Sequence, residues 1–184
     1  ELAGNIIFRR GPKSHSGLVL LARLATWFEP WATSTIAQTK YYVEAIQQPD
    51  YDATITNDGY VHASSFTGTA IGVVTESGYT ATIDNNGTIE VYSLTGQTIG
   101  VENIGVKYSV TDNSGEINVG GGGPSIGIIA EGGDITIDNS GTLGVVSTGN
   151  QAVGVIAYGK YADVDNSGVI DVAGDTDATG LRVR

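Results

Sequence analysis

The sequence predicts an all-β fold, a right-handed parallel β-helix (solenoid) of about five coils, each 26–28 residues long. Three observations predict it: a short motif recurs at nearly constant spacing, apolar residues alternate around each copy, and equivalent positions carry similar residues in every copy. A recurrence of this length is typical of solenoid proteins, in which each repeat is stabilised by its neighbours. Within the repeat, no segment shows the spacing of three and four that an amphipathic helix requires.

The recurring motif is Asn, any residue, then Gly, and successive asparagines are 28, 28, 26 and 27 residues apart. A second glycine follows each asparagine after fourteen or fifteen residues. We predict that the asparagines stack at one corner and pass side-chain amide hydrogen bonds along the column. The glycine of the motif is expected to supply the positive φ of the corner. The predicted turn residues are Asn57, Gly59, Asn85, Gly87, Asn113, Gly115, Asn139, Gly141, Asn166 and Gly168.

Around each asparagine, aliphatic residues recur with period two, which predicts strands of three to five residues. The inward positions are those two before the asparagine, four and six after it, and on both sides of the second glycine. Like residues would then stack in coils about 4.8 Å apart, and the crossover preference predicts right-handed winding. Loops are expected between the corner and the second glycine, on one flank suited to ligand binding. They cover residues 64–69, 92–97, 120–125, 147–151 and 174–177.

The first forty residues differ from the rest and predict a short helical or disordered N-terminal segment. In residues 1–37, basic residues precede the apolar run 17–22 and small residues follow, the order of an export signal cleaved near Ala37. The alternative is an amphipathic helix that caps the repeat, since leucines and alanines between Leu18 and Phe28 keep helical spacing. We expect residues 38–51 to form an N-terminal strand or cap and 52–184 to form the β-helix. The chain stops within the pattern, so a longer protein with more coils is expected.

Charge excludes one class of function from the repeat. The net charge of the chain is −11, and between Ala53 and Leu181 fifteen Asp and Glu residues face only two lysines. Nucleic acid needs Lys or Arg to replace its counterions, so we predict no nucleic-acid partner. The chain has no cysteine, which rules out a disulfide framework but leaves secretion open.

Four aspartates are the only candidate metal ligands. They directly precede the repeated asparagine, are expected to lie in register, and are Asp84, Asp112, Asp138 and Asp165. Stacked carboxylates would suit Ca²⁺, a hard cation. The simpler interpretation is a row of solvated turn residues. No other cofactor is expected.

No residues of the repeat predict catalysis, so we predict that the chain is not an enzyme. His62 is the only histidine of the repeat and is expected at the surface. The segment Gly120–Pro124 lacks the Lys and Ser/Thr of a phosphate-binding loop and predicts a flexible loop. Exposed aromatic residues could offer stacking faces for sugars, and these are Tyr60, Phe66, Tyr79, Tyr92, Tyr108, Tyr158 and Tyr161.

Taken together, these motifs resemble the passenger region of a bacterial autotransporter. The resemblance is carried by the signal-like segment, by 38–45 (QTKYYVEA), and by repeat copies such as 81–89 (ATIDNNGTI) and 135–143 (ITIDNSGTL). It implies type V secretion through the outer membrane by a C-terminal β-barrel translocator of the same polypeptide. It also implies a folded passenger at the cell surface, and the missing cysteines fit a chain that must thread through a barrel.

The leading hypothesis is an extracellular stalk or adhesin segment that binds host or bacterial surface glycans or proteins. The alternative is a carbohydrate-active β-helix enzyme whose catalytic part lies outside this chain. A third hypothesis is a mechanical spacer with no ligand.

Overall fold

The computed structural model describes residues 6–7, 43–46 and 52–184. These residues form strands only, without a helix. The strands are β1 (Ile6–Ile7), β2 (Val43–Ile46), β3 (Ala53–Asn57), β4 (Tyr60–Ser65), β5 (Ala70–Ser77), β6 (Thr80–Asn85), β7 (Thr88–Ser93), β8 (Thr98–Gly105), β9 (Tyr108–Asn113), β10 (Glu116–Gly121), β11 (Ser125–Asn139), β12 (Thr142–Ser147), β13 (Gln151–Asn166), β14 (Val169–Gly174) and β15 (Asp177–Val183).

The strands wind into a parallel β-solenoid of about five turns, which confirms the predicted fold class. Each coil has three faces. The first face carries the strands that end at the repeated asparagine, namely β3, β6, β9 and the C-terminal parts of β11 and β13. The second face is the five-stranded sheet β4, β7, β10, β12 and β14. The third face carries β5, β8, the N-terminal parts of β11 and β13, and β15. Right-handed winding remains a prediction.

The strand register pairs the residues that occupy equivalent positions in the sequence repeat. Asn57 pairs with Asn85, Asn85 with Asn113, and Ile89 with Ile117. Each pair joins equivalent residues of adjacent coils, so like side chains stack inside the column. The largest fully buried side chains include Ile55, Ile83, Ile89, Ile117, Ile137 and Leu143. One continuous apolar core therefore runs through the coils and shares its burial between neighbours.

Alternation is broken at the second glycine, where the sequence predicted two inward neighbours. Val73 lies in the internal core, but Ile71 belongs to a separate buried cluster on the outer side of the third face. The ladder pairs Ile71 with Ile99 and Val73 with Val101 and leaves Gly72 unpaired. A Cβ at Gly72 would lie 2.6 Å from a methyl group of Ile89, so glycine and the following residue both face inward. The prediction of strict period two was wrong here because two consecutive residues point to one side, as in a β-bulge.

Strands are longer, and loops shorter, than predicted. Within the repeat, strand lengths range from five residues in β3 to 16 in β13, because β11 and β13 continue from the third face onto the first without a break. The predicted loops begin too early, since positions 65, 93, 121 and 147 still pair in the ladder of the second face. Two serines then close the short turns: Ser65 Oγ accepts the Gly68 N–H at 2.9 Å, and Ser93 Oγ accepts that of Gly96 at 2.9 Å.

Two short strands lie outside the repeat. β2, within the predicted cap 38–51, pairs in parallel with β5, and β1 pairs antiparallel with β3. The export signal and its helical alternative were both predicted within residues 1–37. Apart from residues 6–7, this segment lies outside the described residues. Among the residues that the structure describes, no helix is long and apolar enough to cross a membrane.

Candidate functional surfaces

The repeated asparagines form the predicted column. Each Nδ2 donates to the Oδ1 of the next asparagine, with distances of 2.7, 2.7, 2.7 and 2.6 Å from Asn57 through Asn166. Asn57, Asn85, Asn113 and Asn139 are 0–1% exposed. A buried amide needs both its donor and its acceptor satisfied, and stacking in register provides both. The asparagines are thus structural residues that fix the register of the coils.

The corner glycines are required for a reason other than the predicted one. None of Gly87, Gly115, Gly141 and Gly168 has a φ in the left-handed range. A Cβ at Gly115 would instead lie 2.0 Å from the carbonyl oxygen of Gly87, and the other three have equivalent contacts at 2.0–2.1 Å. The expectation of positive φ was wrong because the constraint is the close approach of adjacent coils, which leaves no room for a side chain.

The four aspartates lie in register on the first face, as predicted: Asp84 pairs with Asp112, Asp112 with Asp138, and Asp138 with Asp165. Partial burial raises the pKa of Asp112, and the charges of Asp84 and Asp138 raise it further. Within residues 6–7, 43–46 and 52–184, no three His, Asp or Glu side chains are grouped closely enough to hold a metal ion. Both the calcium ladder and the row of solvated turn residues remain predictions.

This column yields a stability prediction. The pKa of Asp112 is higher in the folded than in the unfolded protein. The free energy of unfolding therefore falls as pH rises through these two pKa values, and the loss of stability persists at pH 7. We expect Asp112→Asn to stabilise the protein at pH 7 by less than about 1 kcal/mol, the range of exposed charge pairs. At pH 3 the gain should disappear.

The measurement is thermal unfolding at both pH values in low salt, with Asp171→Asn as the matched control. Asp171 is exposed on the second face opposite Gly144 and makes the same change in net charge. An equal gain from this control would show that net charge, rather than the aspartate column, sets the effect.

The second face carries a small polar cluster at its first two coils. His62 Nδ1 lies 3.5 Å from a Glu90 carboxylate oxygen, and the Tyr60 hydroxyl donates to the same carboxylate. This hydrogen bond raises the pKa of Tyr60. The side chains of His62 and Glu90 are 46% and 48% exposed, so water screens their interaction. His62 is a surface residue, as the sequence predicted.

A second cluster lies at the corner where the third face turns into the first. Lys107 Nζ donates to the Tyr79 hydroxyl at 2.9 Å and lies 4.7 and 5.0 Å from the ring centroids of Tyr79 and Tyr108. Further along the same corner, Lys160 Nζ lies 5.0 Å from the centroid of Tyr161. We call this corner, with Tyr79, Lys107, Tyr108, Gly133, Asp134, Tyr158, Lys160, Tyr161 and Arg184, the lysine–tyrosine corner.

Sequence reasoning named these tyrosines but did not bring them together. Four of the seven candidate aromatic residues (Tyr79, Tyr108, Tyr158 and Tyr161) lie on the lysine–tyrosine corner. Tyr60 and Tyr92 are on the second face, and Phe66 is in a turn. The signal that could have found the cluster was register: Tyr79 and Lys107 are 28 residues apart, one coil, and so are neighbours along the column.

Comparisons with protein families, with curated proteins and with solved structures found no match.

Proposed function

We propose that this chain is a passenger segment of a bacterial autotransporter that acts at the cell surface as a stalk and adhesive scaffold. The observation that carries the proposal is the in-register column of coils, which places the surface residues of successive coils at constant spacing over about 24 Å. Such a column makes a regular surface for repeated weak contacts, and multiple contacts raise avidity without a deep pocket. The signal-like N-terminal segment and the repeat motifs support the export route by resemblance.

Two features of the chain support folding after passage through a pore. It contains no cysteine, so no cross-link would hinder threading. The pairing between strands is almost entirely between adjacent coils, so the folded column can grow one coil at a time. The acidic surface would keep such a column soluble and self-repelling as it emerges.

Surface display tests the proposal. The chain, fused before an outer-membrane β-barrel in a non-adherent bacterium, is expected to become accessible to external protease and to increase attachment to host-cell monolayers or to other bacteria. The matched control is the barrel alone. Attachment no higher than that of the barrel alone, with the passenger shown on the surface, would contradict an adhesive role and favour a mechanical spacer. Release of reducing sugar from polysaccharide by a longer polypeptide that includes this chain, but not by the chain alone, would favour the enzyme hypothesis.

A further inference from the structure

Most of the Lys and Arg side chains of the described repeat lie on one corner. Among residues 52–184 there are four, and three of them, Lys107, Lys160 and Arg184, lie on the lysine–tyrosine corner. Each is held over a tyrosine ring, Arg184 at 6.0 Å from the centroid of Tyr158. The fourth, Arg182, lies 3.7 Å from a carboxylate oxygen of Asp177. An anionic ligand would therefore meet three cations and the Asp134 carboxylate on this corner, whereas the other surfaces of the described repeat carry mainly carboxylates.

Both lysines remain available for a ligand. In the described part of the chain neither makes an ion pair, since the two salt bridges there involve His62 and Arg182. An ammonium group has three donors, and Lys107 uses one on the Tyr79 hydroxyl. That hydrogen bond also raises the pKa of Lys107 above its ordinary value, at which a lysine is already charged at neutral pH.

The position between the two lysines along the column has no side chain. The backbones of Lys107 and Lys160 lie two coils apart, which is about 9.6 Å along the column. The intervening coil presents Gly133, and the Asp134 N–H donates to the Lys107 carbonyl at 2.9 Å, so the ladder is continuous between them. With no side chain at Gly133, only peptide backbone separates the two lysines on this corner.

A row of aromatic and acidic side chains lies next to the two lysines. Tyr108, Asp134 and Tyr161 are paired in register on three successive coils. Asp134 is exposed, and Tyr161 is 62% exposed. The corner thus offers two ammonium groups, two ring faces and one carboxylate within a patch three coils wide.

We propose that the lysine–tyrosine corner binds an acidic oligosaccharide that contains uronic acid. The sugar carboxylates bind Lys107 and Lys160, the apolar face of a sugar ring packs on Tyr161 or Tyr108, and sugar hydroxyls donate to Asp134. The lysine backbones are about 9.6 Å apart and Lys107 Nζ lies against Tyr79 of the preceding coil, so the ligand must be longer than a disaccharide for its uronates to reach both ammonium groups. Asp134 accepts hydrogen bonds, which the hydroxyl groups of a sugar ring can donate, and two lysines are too few for nucleic acid.

This inference rests on the proposed function in one respect: it names the ligand class of the proposed adhesive surface. The probe is tetragalacturonate, titrated into the purified full chain by calorimetry in low salt, with maltotetraose as the neutral arm and dextran sulfate as the sulfate arm. We expect tetragalacturonate to bind, with affinity falling as salt rises, and maltotetraose to bind at least about tenfold more weakly.

The test variants are Lys160→Gln, Lys107→Gln with Lys160→Gln, and Tyr161→Ala. All three sites are exposed, and circular dichroism and melting temperature check the fold. An exposed ion pair contributes up to about 1 kcal/mol, which corresponds to a factor of about five in affinity. We therefore expect Lys160→Gln to weaken binding about two- to fivefold. The double variant should weaken binding further. The matched controls Arg182→Gln and Tyr92→Ala, away from the corner, should bind as the wild type does.

Absence of tetragalacturonate binding, equal binding of the neutral sugar, or equal loss in the controls would overturn the inference. Preferential binding of dextran sulfate would overturn the uronate assignment. Attachment of displaying bacteria that persists in the double lysine variant would contradict this inference alone. Tetragalacturonate binding without any attachment would contradict the proposed adhesive function alone.

Discussion

Substitution of Gly115 by alanine is expected to lower the stability of the protein by more than about 4 kcal/mol, an exceptional loss for one methyl group. The added Cβ would lie 2.0 Å from the Gly87 carbonyl oxygen and 2.9 Å from the Gly87 nitrogen. Both atoms are backbone, so no side chain can rotate away. The two coils must separate, and separation stretches the bond from the Gly115 N–H to the Asn85 carbonyl, now 2.9 Å.

Thermal unfolding followed by circular dichroism measures this effect, and at roughly 2–4 °C per kcal/mol the melting temperature should fall by at least about 8 °C. Gly120→Ala is the matched control. A Cβ at Gly120 meets only the Val146 carbonyl oxygen, at 3.8 Å, which is ordinary contact. Similar melting temperatures for the two variants would show that the coils can separate at the corner and that the close approach is not what selects glycine there.

The contrast between these two glycines illustrates what the sequence could predict. Gly115 belongs to a motif repeated in every coil, so its corner position followed from periodicity alone. The sequence could not show why glycine is needed there, because a turn with positive φ and a close approach between coils both select glycine. Only the structure shows that glycine is required at position 115 by the short distance to Gly87 and not by a positive φ.

The repeat pattern could not predict features that differ from coil to coil. Gly120 and Gly121 suggested a flexible loop with the glycines that follow, but both belong to β10 and pair with Tyr92 and Ser93 of the preceding coil. The lysine–tyrosine corner was missed for a related reason. Its turn carries Tyr79, then Lys107, then Gly133, so no residue type recurs to mark the position, and contact depends on register rather than motif.

Replacement of Asn113 by aspartate is the second change with a large expected effect. Asn113 is 1% exposed, accepts from Asn85 Nδ2 and donates to Asn139 Oδ1, each at 2.7 Å. A carboxylate can accept the first hydrogen bond but cannot donate the second, so two oxygens would face each other beside a buried charge. We expect a loss of about 3–5 kcal/mol at pH 7, the range for an uncompensated buried charge.

The pH dependence distinguishes a reversed hydrogen bond from a general loss of packing. In the Asn113→Asp variant, burial and the facing oxygen would raise the folded pKa of the introduced carboxyl above its unfolded value of about 3.9. The destabilisation should therefore be complete above the folded pKa and should diminish as pH falls through it, because a protonated carboxyl can donate to Asn139. The measurement is the difference in melting temperature between variant and wild type from pH 7 to pH 3.

Asn150→Asp provides the control, since Asn150 is exposed in a turn and the variant makes the same change in charge. It should melt close to the wild type at every pH. A deficit in Asn113→Asp that stays constant from pH 7 to pH 3 would mean a general loss of packing rather than the loss of the amide donor. Recovery at low pH, confined to the buried position, would identify the amide donor of each asparagine as the group that joins one coil to the next.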